Sequence, residues 1–512
     1  MIALKTKHTV LVAFVATAVA TYYNFVEFEV GVKVLIRKAL LALGFPKIET
    51  RHPHLGVYEV GAIKIRLSPE LPTVQLFYPA VERQQQQQQE ANSNKKKKKF
   101  VSYYRPKAVE GLIKFLPNSD FVDGILQFLQ ETPHPNHYGA DPIQSNNNNN
   151  NNTTSTTTNT TTDSAASKPL FPLVLFSHGL SGTIETYTQL CSQIASLGSV
   201  VVAPEHADSS ASYSTRVDGS SLQEIWYTPP SDSYSRETIV GYRGPHAEMR
   251  VDELNALYSF LKSGKASTYS SSSSSSSSSS QNDDAFDERR LLSVANAVLE
   301  TIDPLQLHLV GHSFGAATQL LAAQRWAIER SNTKIGNSSN KAIEPIVPLS
   351  VTALDSWNFP LSDEILSKGI PNTHAPAANN NNDADTPSTT ANAPILSIVS
   401  EEWLTNPEID FLKEFLLNSR PHCSVDSYYA KHSVHQSFSD SQAWLPNPIA
   451  TAFENRGPKE DRHVTIRAVV GAFCHHTGIG RDDQSLLSSA SSSKPAPIEA
   501  LADFPFDRGF VS

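Results

Sequence analysis

Ser313 lies between two glycines in Leu307-His-Leu-Val-Gly-His-Ser-Phe-Gly315. A serine hydroxyl is a weak nucleophile unless a neighbouring base takes its proton, and it must be held at an exposed, sharp turn to reach a substrate. The G-x-S-x-G spacing supplies such a turn. Residues without bulk at 311 and 315 let strand and helix approach closely on either side of the serine. The apolar run before Gly311 reads as a strand, and Ala316–Ala327, rich in Ala, Leu and Gln, has helical spacing. Strand, tight turn and helix are the context in which this motif means a nucleophile elbow.

A nucleophilic serine needs donors for the charge that builds on the attacked carbonyl. Upstream, Leu173–Phe176 is a short apolar run bounded by Pro172 and by His178-Gly179, as in a buried parallel strand. In this chemistry one donor comes from the loop after such an early strand and the other from the residue after the serine. Those donors are the backbone N–H groups of Leu180 and Phe314. The serine also needs a histidine and a carboxylate, in the chain order Ser, acid, His. Among 17 histidines, His435 stands in a loop past the last core strands, with His432 as its local competitor. Asp355 closes the run Val347–Leu354. Glu401 and Glu402 follow a second strand-like run, Ile395–Val399. A carboxylate at the carboxyl end of a parallel strand faces the crevice where open sheets bind ligands, so both positions qualify.

Five blocks in this order resemble the platelet-activating-factor acetylhydrolases of the plasma, lipase-like type. They are Phe-Ser-His178-Gly-Leu180; Val-Ala-Pro-Glu205-His206-x-Asp208-x-Ser210-Ala-Ser212; Gly311-His-Ser313-Phe-Gly-Ala-Ala-Thr318; Ala-Leu-Asp355-x-Trp357-x-Phe-Pro-Leu361; and Ser433-Val-His435-Gln-x-Phe438-x-Asp440. The resemblance spans about residues 55–80 and 168–480. It implies an α/β-hydrolase fold, a mostly parallel central sheet flanked by helices. It implies a triad of Ser313, Asp355 and His435, placing the acid at Asp355 rather than Glu401, with Leu180 and Phe314 as the oxyanion hole. It further implies calcium-independent hydrolysis of the sn-2 acetyl, short or oxidised acyl ester of a glycerophospholipid, with no cofactor. Two departures leave the reacting atoms in place. Ala316 stands where the family usually has a second glycine, and Pro204 replaces an apolar residue before Glu205. Two other functions fit the same residues: a different carboxylesterase or polyesterase of this fold, and an inactive, membrane-anchored binding protein. The presence of serine, acid and histidine argues against the second.

The chain has 512 residues, more than one domain usually needs. Low-complexity tracts account for the excess. Gln84–Gln89, Lys95–Lys99, Asn146–Asn152, Ser270–Ser280 and Asn379–Asn382 cannot bury enough apolar surface to offset ordering entropy. Set aside as insertions at about 83–99, 144–167, 266–285 and 374–390, they leave one domain over 45–480 and a C-terminal tail over 481–512. A net charge of −9 argues against nucleic acid as a partner; the expected partners are phospholipid and a membrane or lipoprotein surface. Three cysteines, none in C-x-x-C spacing, give no disulfide framework, and Cys474-His475-His476 lacks the companions of a metal site. Lys5 and Lys7 precede the apolar stretch Val10–Ala20, so residues 1–25 read as a signal peptide or signal anchor. The chain is therefore expected in the secretory pathway, secreted or membrane-anchored. Apolar stretches at Val34–Leu43, Gly111–Leu116 and Phe121–Leu129 are candidates for either core packing or interfacial docking. Loop-closure entropy changes slowly with loop length. Deleting Ser270–Ser280, or Gln84–Lys99, should therefore leave melting temperature and turnover of the purified protein essentially unchanged. A large drop in melting temperature would show that the tract packs on the domain.

Overall fold

The computed structural model describes residues 54–81, 101–116, 126, 129–130, 132–143, 170–219, 221–231, 234–263, 266, 281–335, 346–371, 392–441, 463–480 and 501–503. The N-terminal signal or anchor stretch, the low-complexity tracts, Val34–Leu43 and most of Phe121–Leu129 lie outside them. In chain order the strands are β1 (Glu59–Arg66), β2 (Thr73–Ala80), β3 (His137–Tyr138), β4 (Phe171–Ser177), β5 (Val200–Pro204), β6 (Tyr213–Asp218), β7 (Ser221–Trp226), β8 (Ile302–His312), β9 (Ser350–Leu354), β10 (Ile395–Ser400), β11 (Val425–Ala430) and β12 (Leu501–Asp503). The helices are α1 (Pro106–Phe115), α2 (Thr188–Ser196), α3 (Arg236–Ser263), α4 (Gln281–Leu299), α5 (Phe314–Ile335), α6 (Asp363–Lys368), α7 (Ile409–Ser419) and α8 (Val464–Thr477).

Ten of these strands form one sheet in the order β12-β11-β10-β9-β8-β4-β5-β2-β1-β3. The six from β11 to β5 run parallel; β2 is antiparallel to β5, β1 to β2, and β12 to β11. The central strands are continuously apolar because both faces are covered. Leu173 and Leu175 of β4 pack with α3, α4 and α5 residues such as Leu254, Ala295 and Leu320. Val174 and Phe176 point the opposite way, toward Leu190 and Ile194 of α2 and Val469 and Phe473 of α8. This is the α/β-hydrolase fold. From β4 the chain steps to β5 on one side; it later returns to β8 on the other and moves outward through β9, β10 and β11. The strand order therefore reverses between β4 and β8, and a crevice opens beyond their carboxyl ends.

The structure adds features the residue patterns did not indicate. Tyr213–Asp218 and Ser221–Trp226 form a separate antiparallel hairpin. Leu501–Asp503, within the stretch read as a C-terminal tail, pairs with Tyr428–Ala430 and extends the sheet by one edge strand. Pro106 starts α1 at the position where its missing N–H costs nothing. Ala108, Val109, Gly111 and Leu112 face inward with Tyr103 and Tyr104, whereas Phe115 remains 36% exposed. Among the described residues no helix is long and apolar enough to cross a membrane.

Asp440 ties the segment after His435 to the start of α2. Its buried carboxylate accepts the Gln189 N–H at 3.0 Å and the Tyr103 hydroxyl, and its own N–H donates to Thr186 O at 2.8 Å. Burial pushes this carboxyl up to about 8. An unfolded Asp titrates near pH ~4, so between about pH 4 and 8 the folded chain holds a proton that the unfolded chain has released. Stability should fall with rising pH across that window, by at most ~1.4 kcal/mol per unit. Asp440→Asn removes this dependence. Urea unfolding at pH 5 and pH 8 should show wild type losing more stability than the variant. An equal loss in both would mean that folded Asp440 is already ionised.

Candidate active site

Gly311-His-Ser313-Phe-Gly315 joins β8 to α5. Ser313 has φ 56°, a left-handed backbone that non-glycine residues adopt at a cost of about 1–3 kcal/mol. The flanking glycines are required by space. A Cβ on Gly311 would lie 2.4 Å from Gly315 O, and one on Gly315 would lie 2.0 Å from Ser177 O at the end of β4. The strained serine is stitched into the ends of its neighbours. Its N–H donates to Leu354 O at 2.8 Å, and its carbonyl accepts the Trp357 N–H at 3.1 Å.

The three residues implied by the resemblance meet there. His435 Nε2 lies 3.1 Å from Ser313 Oγ, and its Nδ1 lies 3.0 Å from Asp355 Oδ2. Asp355, at the end of β9, also has positive φ (43°), which turns its carboxylate toward β10. There the Ser400 hydroxyl donates to Oδ2 at 2.6 Å and the Ser400 N–H donates to Oδ1. Asp355 is fully buried and Ser313 7% exposed, while the His435 side chain is 21% exposed, so the line runs from interior to surface. The other two acids engage elsewhere. Glu401 accepts the backbone N–H of His432, and Glu402 accepts the backbone N–H of His435 at 2.8 Å. Trp403 stacks on the His435 ring at 4.6 Å with a 21° interplanar angle. The two residues lie on separate turns, so local spacing gives no sign of this contact.

Phe314 directly follows the serine, and Leu180 lies in the loop after β4. Phe314 opens α5, so its N–H lies in the first turn, where no helix carbonyl can accept it. Gly179 is pressed against the elbow, since a Cβ there would lie 3.1 Å from Ser313 Cβ. Three other N–H groups of this loop are taken: Gly179 by Tyr187 Oη at 3.1 Å, Ser181 by Ser210 O at 2.7 Å, and Gly182 by Gly179 O at 3.1 Å. Among the described residues the Leu180 N–H has no protein acceptor. Tyr187 Oη continues to His312 Nδ1 at 2.8 Å, and His312 Nε2 faces the His435 carbonyl at 3.0 Å. Burial, with His435 adding to it, holds His312 well below the usual histidine range, so Nε2–H donates and Nδ1 accepts. His312, Asp355 and His435 place ligand-type atoms within 4.8 Å of one another. Each of those atoms is nonetheless committed to one of the hydrogen bonds just given.

Beneath the loop lies a second chain of the same residue types. Ser177 Oγ is 2.8 Å from His206 Nε2, and His206 Nδ1 is 2.6 Å from Glu253 Oε2. Ser177 and His206 are fully buried. Burial and the nearby Arg250 hold His206 well below its usual range, and burial with the Asp208 charge pushes Glu253 up. The Glu205-His206-x-Asp208-x-Ser210 block is thus structural support: the His206 N–H donates to His178 Nε2 at 3.2 Å, and the Asp208 carboxylate receives Arg250 Nε at 2.9 Å.

Residues 51–373 match the family described as platelet-activating factor acetylhydrolase, isoform II. That stretch includes Ser313 and Asp355 and ends before His435. Platelet-activating factor acetylhydrolase of Gallus gallus is 26% identical over 335 residues, covering 62% of this chain and 65% of that protein. The protein of the same name from Canis lupus familiaris is 27% identical over 322 residues, covering 61% and 58%. The chain thus spans less than two thirds of the length of these relatives. Among solved structures, a ferulic acid esterase from Streptomyces cinnamoneus superposes with a TM-score of 0.43 at 13% identity, covering 87% of this chain and 96% of that one. With its elbow, its hydrogen-bonded serine, histidine and aspartate, and a match over residues 51–373, the chain belongs to the platelet-activating factor acetylhydrolase, isoform II, family.

Proposed function

We propose that the protein is a calcium-independent serine esterase that hydrolyses the sn-2 acetyl, short or oxidised acyl ester of glycerophospholipids. The observation that carries this reading is His435 bridging Ser313 Oγ at 3.1 Å and Asp355 at 3.0 Å, at the carboxyl ends of the central strands. His435 Nε2 takes the Ser313 proton as Oγ bonds to the ester carbonyl carbon. Asp355 orients the imidazole through Nδ1–H and stabilises its cation. The Leu180 and Phe314 N–H groups hold the oxyanion. Collapse breaks the bond to the glycerol oxygen, which takes the proton from Nε2 and leaves as the lysophospholipid. Water, deprotonated by His435, then attacks the acyl-serine, releases the short acid and restores Ser313.

A lipid-surface partner has support of its own. Phe115 of α1 packs edge-on against Tyr227 at 4.8 Å, and Leu222 on the β6–β7 hairpin is 56% exposed. Lys114 lies over the Trp226 ring at 3.6 Å. Exposed apolar groups rimmed by lysines suit an interface with phospholipid headgroups. Entry into the secretory pathway through residues 1–25 belongs to the same proposal.

Ser313→Ala should abolish labelling by a fluorophosphonate probe and lower ester turnover to the residual level left by binding and the oxyanion hole. Near wild-type turnover would sink the serine-esterase reading. A panel comparing an acetylated ether phospholipid with simple short-chain esters tests the substrate. A preference for the simple esters would make the protein a general carboxylesterase or polyesterase.

The acid is tested separately. Asp355→Asn should cost up to ~ten-thousandfold in turnover, because His435 loses its tautomer and its counter-charge. Glu401→Gln should cost little, since that carboxylate meets His432. The reverse pattern would move the acid to the end of β10.

A further inference from the structure

Arg250 of α3 is 0% exposed. A guanidinium sealed that completely must find partners for its donors. Its Nε donates to Asp208 Oδ2 at 2.9 Å and lies 3.1 Å from Ser210 Oγ; one terminal nitrogen, Nη2, also reaches Ser210 Oγ, at 2.5 Å. The other terminal nitrogen, Nη1, donates to the carbonyl of His178 at 2.7 Å. The guanidinium carbon lies over the Phe314 ring, 4.5 Å from its centroid. Burial works against the charge of Arg250, and Asp208 opposes that effect.

These contacts reach both sides of the proposed oxyanion hole. The His178–Gly179 peptide is held at both edges, its C=O by Arg250 and its N–H by Tyr187 Oη. The next carbonyl, Gly179 O, accepts the Gly182 N–H and lies 2.8 Å from His178 Nδ1. A trans peptide points its N–H opposite its C=O. With Gly179 O held inward, the Leu180 N–H must face the other way. The same guanidinium lies against the ring of Phe314, whose backbone N–H is the second donor.

We propose that Arg250 is a positioning residue for the oxyanion hole. Its guanidinium holds the His178–Gly179 peptide by a hydrogen bond and the Phe314 ring by a cation–π contact, and so sets the separation of the Leu180 and Phe314 N–H groups. The inference rests on the serine-esterase reading. It accounts for a buried cation that no step of the reaction consumes.

The test uses the full chain with Arg250→Lys and Arg250→Met, assayed on a short-chain aryl ester and on its thionoester, in which sulfur replaces the carbonyl oxygen. Sulfur is the weaker hydrogen-bond acceptor, so a displaced hole penalises the oxygen ester more. The expected result is a fall in kcat of about a hundredfold for the oxygen ester at nearly constant KM. The fall for the thionoester should be much smaller, so the ratio of the two rates drops. A role confined to holding the fold would lower both rates together. An unchanged ratio, at any level of turnover, overturns the proposal. Phe314→Leu keeps the backbone N–H and removes the ring, and should lower the same ratio. It decides the matter if the Arg250 variants do not fold, and an unchanged ratio there also overturns the proposal. Ser313→Ala separates the two claims. If it stays active, the esterase reading has failed; if it is dead while the ratios hold, only the role of Arg250 has failed.

Discussion

The constraint on which the elbow depends is the approach of α5 to the end of β4. With 2.0 Å between Ser177 O and the place a Gly315 Cβ would occupy, helix and strand can share that space only with glycine. This contact sits where the strand order reverses, so it fixes the start of α5 beside the crevice that opens there. The positive φ of Ser313 follows, because the chain must turn from β8 into a helix already jammed against the neighbouring strand. One steric fact thus sets the turn at Ser313 and the start of α5.

Charge inside the protein serves position more than stability. Arg105 reaches both Glu185 and Glu205, and Lys64 lies 3.2 Å from Glu185; both carboxylates are fully buried. Replacing such a group by a well-packed apolar one is often neutral, whereas removing a single partner is costly. What the network supplies is geometry. Arg105 immediately precedes α1, so its two acids on the β5 and α2 side anchor the helix that carries Phe115. Although burial pushes the Glu185 carboxyl up, Arg105 and Lys64 outweigh it and hold it well below the usual carboxylate range.

Much of this was legible in the residues. The apolar runs around Leu173, Leu309 and Ile395 became central parallel strands, because an uninterrupted apolar run suits a sheet covered on both faces. The elbow was legible because its glycines answer a local steric need. The apolar runs alone left the acid open, since Asp355 and Glu401 both follow one; the resemblance of the Ala-Leu-Asp355 block pointed to Asp355, which lies beside His435 while Glu401 meets His432. Trp403 and Arg250 were missed for a common reason. Their partners come from elsewhere in the chain, and α3, studded with Arg, Glu and Asp, reads as a solvent-facing helix although Arg243 and Arg250 are buried. The β6–β7 hairpin and β12 carry too few apolar residues to announce themselves.

The Ser177–His206–Glu253 chain repeats the connectivity of the surface line with shorter hydrogen bonds, yet its serine and histidine are fully buried. It works as a counterexample carried within the same molecule. A search for serine, histidine and carboxylate by distance alone would return both lines and could not rank them. What separates them is a route for solvent and a kinked backbone at the serine: Ser313 has both, whereas Ser177 ends an extended strand. Placement separates the two constellations: one reaches the surface through His435, and the other keeps its serine and histidine sealed.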